Sequence, residues 1–200
     1  MYVLGNSLDY GEKSIELIND LSMRYNVLSI AGEHEFRALK MLKKIDNMLK
    51  NNTTLSPEDK EELAELLENG GAKTIKDFSA LDADMREGIL DYLAELSLYE
   101  EIKAGGKSYL LVSSGIAGFE PETPLEDYMP EDFIFEPLDP AKSYFPHKTI
   151  IAGHTRTASL SDDGTDKIVY GNGSIFINCG AAFGGKLACL CLENGKEFYI

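Results

Sequence analysis

Four times along this chain a short apolar run stops abruptly at a glycine or a small polar cluster. Tyr2-Val3-Leu4 gives way to Gly5-Asn6-Ser7-Leu8-Asp9, and Asn26 to Ile30 gives way to Ala31-Gly32-Glu33-His34-Glu35. Tyr109 to Val112 ends at Ser113-Ser114-Gly115, and Lys148 to Ala152 ends at Gly153-His154-Thr155. Runs this short and this apolar suit buried strands. In an open α/β sheet the loops at the strand C-terminal ends line the ligand crevice. Two of the three histidines, His34 and His154, fall in these loops.

Helical spacing fills the intervals. Ile15, Ile18 and Leu21 mark a helix over Ser14 to Met23, and Phe36, Leu39, Ile45 and Met48 mark a candidate core face from Glu33 to about Leu49. Ser56-Pro57-Glu58-Asp59 is a helix start: a hydroxyl cap, proline in the first turn, then acids at the positive helix end. Gly70-Gly71 is expected to stop that helix. A short helix over Thr74 to Phe78 and a longer one over Asp82 to Leu96 follow. The block 52–97 contains no strand pattern and reads as a helical insertion packed on the α/β body. Beyond it the pattern turns to strands. Gly105-Gly106 fits a hairpin turn, Ser174 to Asn178 and Lys186 to Leu192 read as strands, and Asn194-Gly195 reads as a two-residue turn before Phe198-Tyr199-Ile200. The expected architecture is a layered α/β (α+β) sandwich: β-sheets flanked by helices, one domain over 1–200, with a β-rich C-terminus.

Charge narrows the partners. With 19 basic and 34 acidic residues the net charge is −15. Such a surface repels nucleic acid and anionic membrane, so neither is an expected partner. No stretch approaches the ~20 apolar residues of a membrane span, and no basic flank precedes an apolar stretch at the N-terminus, which leaves a cytoplasmic setting as the expectation. Three cysteines are too few and irregular for a disulfide framework. Cys189 and Cys191, two apart in an apolar run, read as small buried hydrophobes on one strand face.

The four clusters also carry a resemblance. Gly5-Asn6-Ser7-Leu8-Asp9-Tyr10-Gly11 is similar to the Gly-Asp-x-x-Asp-Arg-Gly motif of calcineurin-like metallophosphoesterases of the serine/threonine-phosphatase type. Gly32-Glu33-His34-Glu35 resembles their Gly-Asn-His-Glu, and Gly153-His154-Thr155 their Gly-His-Thr. Leu111 to Ile116 resembles the strand that ends in His-Ala-Gly, and Ile177 to Leu190 the closing strands. The resemblance implies the metallophosphoesterase sandwich and a dimetal phosphatase ancestry. It places the family's first motif, Asp-x-His-Gly, on a strand-helix unit ahead of this chain. A strand left without that neighbour exposes an edge, so a homodimer or a marginally stable monomer is expected.

Against that pattern the chain departs at the metal ligands. Asn6 stands where the metal-bridging aspartate belongs, Glu33 where a ligand asparagine belongs, Ser113 where a ligand histidine belongs, and Tyr10 where the phosphate-binding arginine belongs. The resemblance keeps Asp9 and His34 as the pair that protonates the leaving group, and His154 as a ligand. Two close divalent ions need an anionic bridge that an asparagine amide cannot supply, serine substitutes poorly for imidazole, and tyrosine cannot fork onto phosphate as arginine does. A full dimetal centre is therefore not expected. A single weak site for manganese, iron or zinc at Glu33 with His154 and Asn6 is the alternative, and no phosphate-binding residue is assigned. Arg156 reads either as a replacement positive charge or as a surface residue. The resulting expectation is a degenerate phosphoesterase with little or no phosphatase activity, its phosphorylated ligand or protein partner unspecified. The alternatives are an active metal-dependent phosphomonoesterase or protein phosphatase with a rebuilt site, and a structural or interaction protein.

Overall fold

The computed structural model describes residues 1–200, which divide into two compact units, Met1–Leu96 and Ser97–Ile200. In the first, β1 (Tyr2–Leu4) pairs in parallel with β2 (Leu28–Ile30), Tyr2 opposite Leu28, and α1 (Ser14–Ser22) connects them. Helices α2 (Glu33–Asn51), α3 (Pro57–Leu66), α4 (Ala72–Ser79) and α5 (Ala83–Ala94) complete the unit. The helical block joins the α/β part in one core, where Leu66, Phe78, Ile89 and Leu93 meet Leu8, Ile18, Ala38 and Leu42.

Local chemistry explains the boundaries. Ser56 caps α3, its Oγ accepting from the Asp59 amide at 3.1 Å, with Pro57 in the first turn. Gly70-Gly71 breaks the helical path as expected: α3 ends at Leu66, and Asn69 and Gly70 have non-helical backbone angles. Residues 67–71 form one wide turn in which Gly70 takes φ 90°, a left-handed value glycine adopts without strain, and the chain re-enters helix at Ala72. The buried stripe of α2 is Glu35, Ala38, Met41, Leu42, Ile45 and Asp46. Of the predicted core positions Ile45 holds, while Leu39 and Met48 are only partly buried. The face is rotated because two carboxylates lie on it, and apolar periodicity alone cannot register them.

The second unit is a five-stranded mixed sheet in the order β3-β4-β5-β7-β6. β3 (Tyr99–Ala104) and β4 (Lys107–Val112) form the expected hairpin. Its turn is Gly105-Gly106, at φ 54° and 76°, values that favour glycine. β5 (Lys148–Ala152) runs parallel to β4 and to β7 (Ser174–Phe176), and β6 (Val169–Tyr170) closes the edge antiparallel. The proline-rich segment between β4 and β5 packs Ile116, Phe119, Leu125, Phe133, Leu138 and Tyr144 against the sheet core.

The C-terminal ribbon pairs β8 (Ala188–Leu190) with β9 (Glu197–Tyr199) alone. Its strands are shorter than predicted, and its turn spans 192–195, where the Cys191 amide donates to the Lys196 carbonyl and the Asn194 side chain accepts from the Lys196 amide, both at 2.9 Å. Cys189 and Cys191 are not buried: Cys189 is exposed and Cys191 half-buried. A two-stranded ribbon covers neither of its own faces, so Cys189 shares an open face with Leu187, Phe198 and Ile200, all exposed. The buried cysteine is Cys179. No helix is long and apolar enough to cross a membrane.

Candidate functional site

In the first unit the loop after β1 is folded around a carboxylate. The amides of Asn6, Ser7 and Leu8 donate to Glu35 at 3.1, 2.5 and 3.1 Å, and the Gly32 amide donates to the same group at 2.9 Å. Glu35 is the third residue of α2 and is 2% exposed. A buried carboxylate is costly unless it is fully hydrogen-bonded, and four amides meet that need. The loop bends accordingly: Gly5, Asn6, Asp9 and Tyr10 all take left-handed φ, between 44° and 73°. For the non-glycine residues that conformation costs of order 1 kcal/mol each and persists only where surroundings enforce it.

This bend turns Asp9 inward. Its Oδ2 lies 2.8 Å from His34 Nδ1, with the Asp9 side chain fully buried and that of His34 17% exposed. A carboxylate only accepts, so the imidazole proton sits on Nδ1 and leaves Nε2 as the nitrogen that can exchange with a ligand. Burial pulls the His34 pKa down, but the hydrogen bond to Asp9 and its charge, with Glu35 and Glu33 adding to them, outweigh burial and raise it above the ordinary histidine value. The Tyr10 ring meets His34 edge-on, 5.0 Å between centroids. Asp9 Oδ1 is held separately, by the Thr74 hydroxyl at 2.9 Å.

The other predicted residues are differently employed. Asn6 is exposed in the bent loop, with its amide given to Glu35. Glu33 opens α2 and pairs with Arg37 one turn on, at 3.0 Å. In the second unit, Ser113 is buried just beyond β4 and its carbonyl accepts from the Gly153 amide at 3.0 Å. His154 follows β5 with φ 48°, and its carbonyl accepts from the Asn178 side chain at 2.7 Å. Arg156 forks onto Asp166 with both bonds at 3.1 Å and lies over the Phe183 ring. As donors for a pair of divalent ions these residues fit poorly. Taken one by one, Asn6 is neutral, Glu33 pairs with an arginine and Ser113 offers a hydroxyl.

Glu35 and Thr74 were not singled out from sequence. Glu35 did carry a signal, since glutamate three residues after the helix-capping glycine reaches back to the cap amide. Thr74 carried none, because its partner lies 65 residues away.

Neither a known protein family nor a curated protein matches the chain. Among solved structures, one described as a "putative diadenosine tetraphosphatase" aligns over 100% of this chain and 78% of its own, at 17% identity and a TM-score of 0.60. A hypothetical protein from Pyrococcus horikoshii OT3 aligns over 100% of this chain and 73% of its own, at 16% identity and a TM-score of 0.48. The first likeness shows the fold: this chain shares the mixed α/β architecture of that structure.

Proposed function

We propose that this chain is a degenerate member of the calcineurin-like phosphoesterase group that keeps the proton-donating half of the site without the metal-dependent half. The observation that carries the reading is the Asp9–His34 contact of 2.8 Å, fully buried on the aspartate side. A buried carboxylate aimed at one histidine nitrogen is a device for fixing the tautomer and charge of the other nitrogen. The raised pKa keeps His34 cationic to a higher pH than a free imidazole. A cationic Nε2–H suits the anionic oxygen of a phosphorylated ligand as a donor of a charge-assisted hydrogen bond. Asn6, Tyr10 and Ser113, where the resembled family has aspartate, arginine and histidine, support binding without dimetal hydrolysis.

The test has two arms. Metal content after incubation with manganese is expected to stay below one tight ion per chain, and a generic aryl phosphate is expected to turn over no faster with protein than without. Stoichiometric metal with turnover lost in His154→Ala would favour the alternative, an active phosphomonoesterase with a rebuilt site.

A second reading, in which the chain acts by associating with a second copy of itself, is favoured by the open ribbon face of Leu187, Cys189, Phe198 and Ile200. Light scattering across a concentration series tests it. Self-association abolished by Phe198→Lys supports the reading, and a monomer at every concentration removes it.

A further inference from the structure

Thr74 stands in the first turn of α4 and is 0% exposed. Its hydroxyl donates to Asp9 Oδ1 at 2.9 Å and accepts from the Asp9 amide at 3.2 Å. One side chain therefore grips both ends of the same residue. Asp9 needs that grip. At φ 60° it is a left-handed non-glycine residue, and Tyr10 after it is another at 44°. Left to itself, this backbone would relax and carry the carboxylate with it.

The approach of α4 is made possible by the glycine pair before it. A Cβ on Gly70 would come within 2.9 Å of the Tyr10 ring, and one on Gly71 within 2.8 Å of the Leu66 carbonyl and 3.3 Å of Asp9 Oδ1. Distances under 3.0 Å leave no room for a side chain, so the turn between α3 and α4 lies directly against Asp9-Tyr10. The polar constellation thus draws on three places in the first unit: the loop after β1, the start of α2 and the start of α4.

We propose that Thr74 is the positioning residue of this site: it clamps Asp9 so that Oδ1 is spent on the threonine hydroxyl and Oδ2 is fixed on His34 Nδ1. The helical block then does more than enlarge the core. It sets which imidazole nitrogen holds a permanent proton and where the other one points. A carboxylate bound at one oxygen only can rotate about its Cβ–Cγ bond, and one bound at both cannot. The proposal rests on reading His34 as the group the site uses. Its readout involves neither hydrolysis nor metal, so it can fail while that reading stands.

The experiment is nitrogen and proton NMR of the imidazoles in the full chain at one fixed pH, with His34→Gln used to assign the His34 signals. In wild type the His34 proton is expected on Nδ1, in a slowly exchanging downfield resonance. Thr74→Ser, which retains the hydroxyl, is expected to match it. Thr74→Val, which retains the shape and removes the hydroxyl, is expected to exchange that proton about tenfold faster and to mix the two tautomers. Asp9→Asn is expected to abolish the resonance. A folded Thr74→Val with wild-type exchange and a single tautomer overturns the proposal. Should that variant fail to fold, Thr74→Cys, close in volume and a weak donor, is read in the same way, and a wild-type spectrum there overturns it equally.

Discussion

The two units treat ionisable side chains in opposite ways. In Met1–Leu96 three carboxylates are buried, each fully engaged: Glu35 by four amides, Asp9 by Thr74 and His34, and Asp46 by Arg86 at 2.8 Å and Lys50 at 2.9 Å. In Ser97–Ile200 the comparable positions are neutral or half-exposed. Ser113 is an uncharged residue behind its strand, and the Arg156–Asp166 pair leaves the arginine side chain 41% exposed. Both units present polar residues after apolar strands, and the motif resemblance runs through both. The difference teaches that polar residues at strand ends do not by themselves make a site, because chemistry needs charge held in a fixed, desolvated geometry. Only the first unit holds charge that way.

Removing those buried charges one at a time should break the comparison if it is false. The largest effect is expected at Glu35→Ala, which strands four amides and should destabilise by about 4 kcal/mol in urea melts, with Glu35→Gln losing about half as much. Arg86→Ala comes next, at about 3 kcal/mol, because it leaves the buried Asp46 charge with Lys50 as its remaining partner and Oδ1 without its hydrogen bond. Burial pushes the Asp46 pKa up, but the bonds from Arg86 and Lys50 outweigh it and the net shift is downward. A lowered carboxylate contributes stability above its unfolded pKa and loses it as pH falls through the folded value. Wild type should therefore lose its advantage over Asp46→Asn in acid, below about pH 4. Asp9→Asn should cost about 1 kcal/mol. Asp166→Asn, at the exposed pair of the second unit, should change stability by only about 0.5 kcal/mol. Equal losses at Arg86 and Asp166 would erase the distinction between the units.

Much of the fold was legible in the sequence because it rests on local rules. The strand ends, the Ser56 cap, the Gly105-Gly106 hairpin and the helix starts all follow from residues within a few positions of one another. Non-local chemistry was harder to read. The α2 face was displaced because Glu35 and Asp46 are buried acids, and their partners, Ser7 and Arg86, lie 28 and 40 residues away. The cysteine reading failed for a related reason: alternation marks a strand face but not whether anything covers it, and Cys189 lies on an open ribbon. The Asp9–His34 pair was reached through the motif resemblance. Its third member, Thr74, belongs to a helix that the sequence shows only as an insertion.

The central claim, a fixed acid pair without a dimetal site, is tested most directly by measuring metal content after manganese incubation alongside aryl phosphate hydrolysis on the same sample. The account predicts no tight stoichiometric metal and no turnover above background, with the His34 Nδ1 proton still protected. Two bound ions per chain and turnover abolished by His154→Ala would contradict it.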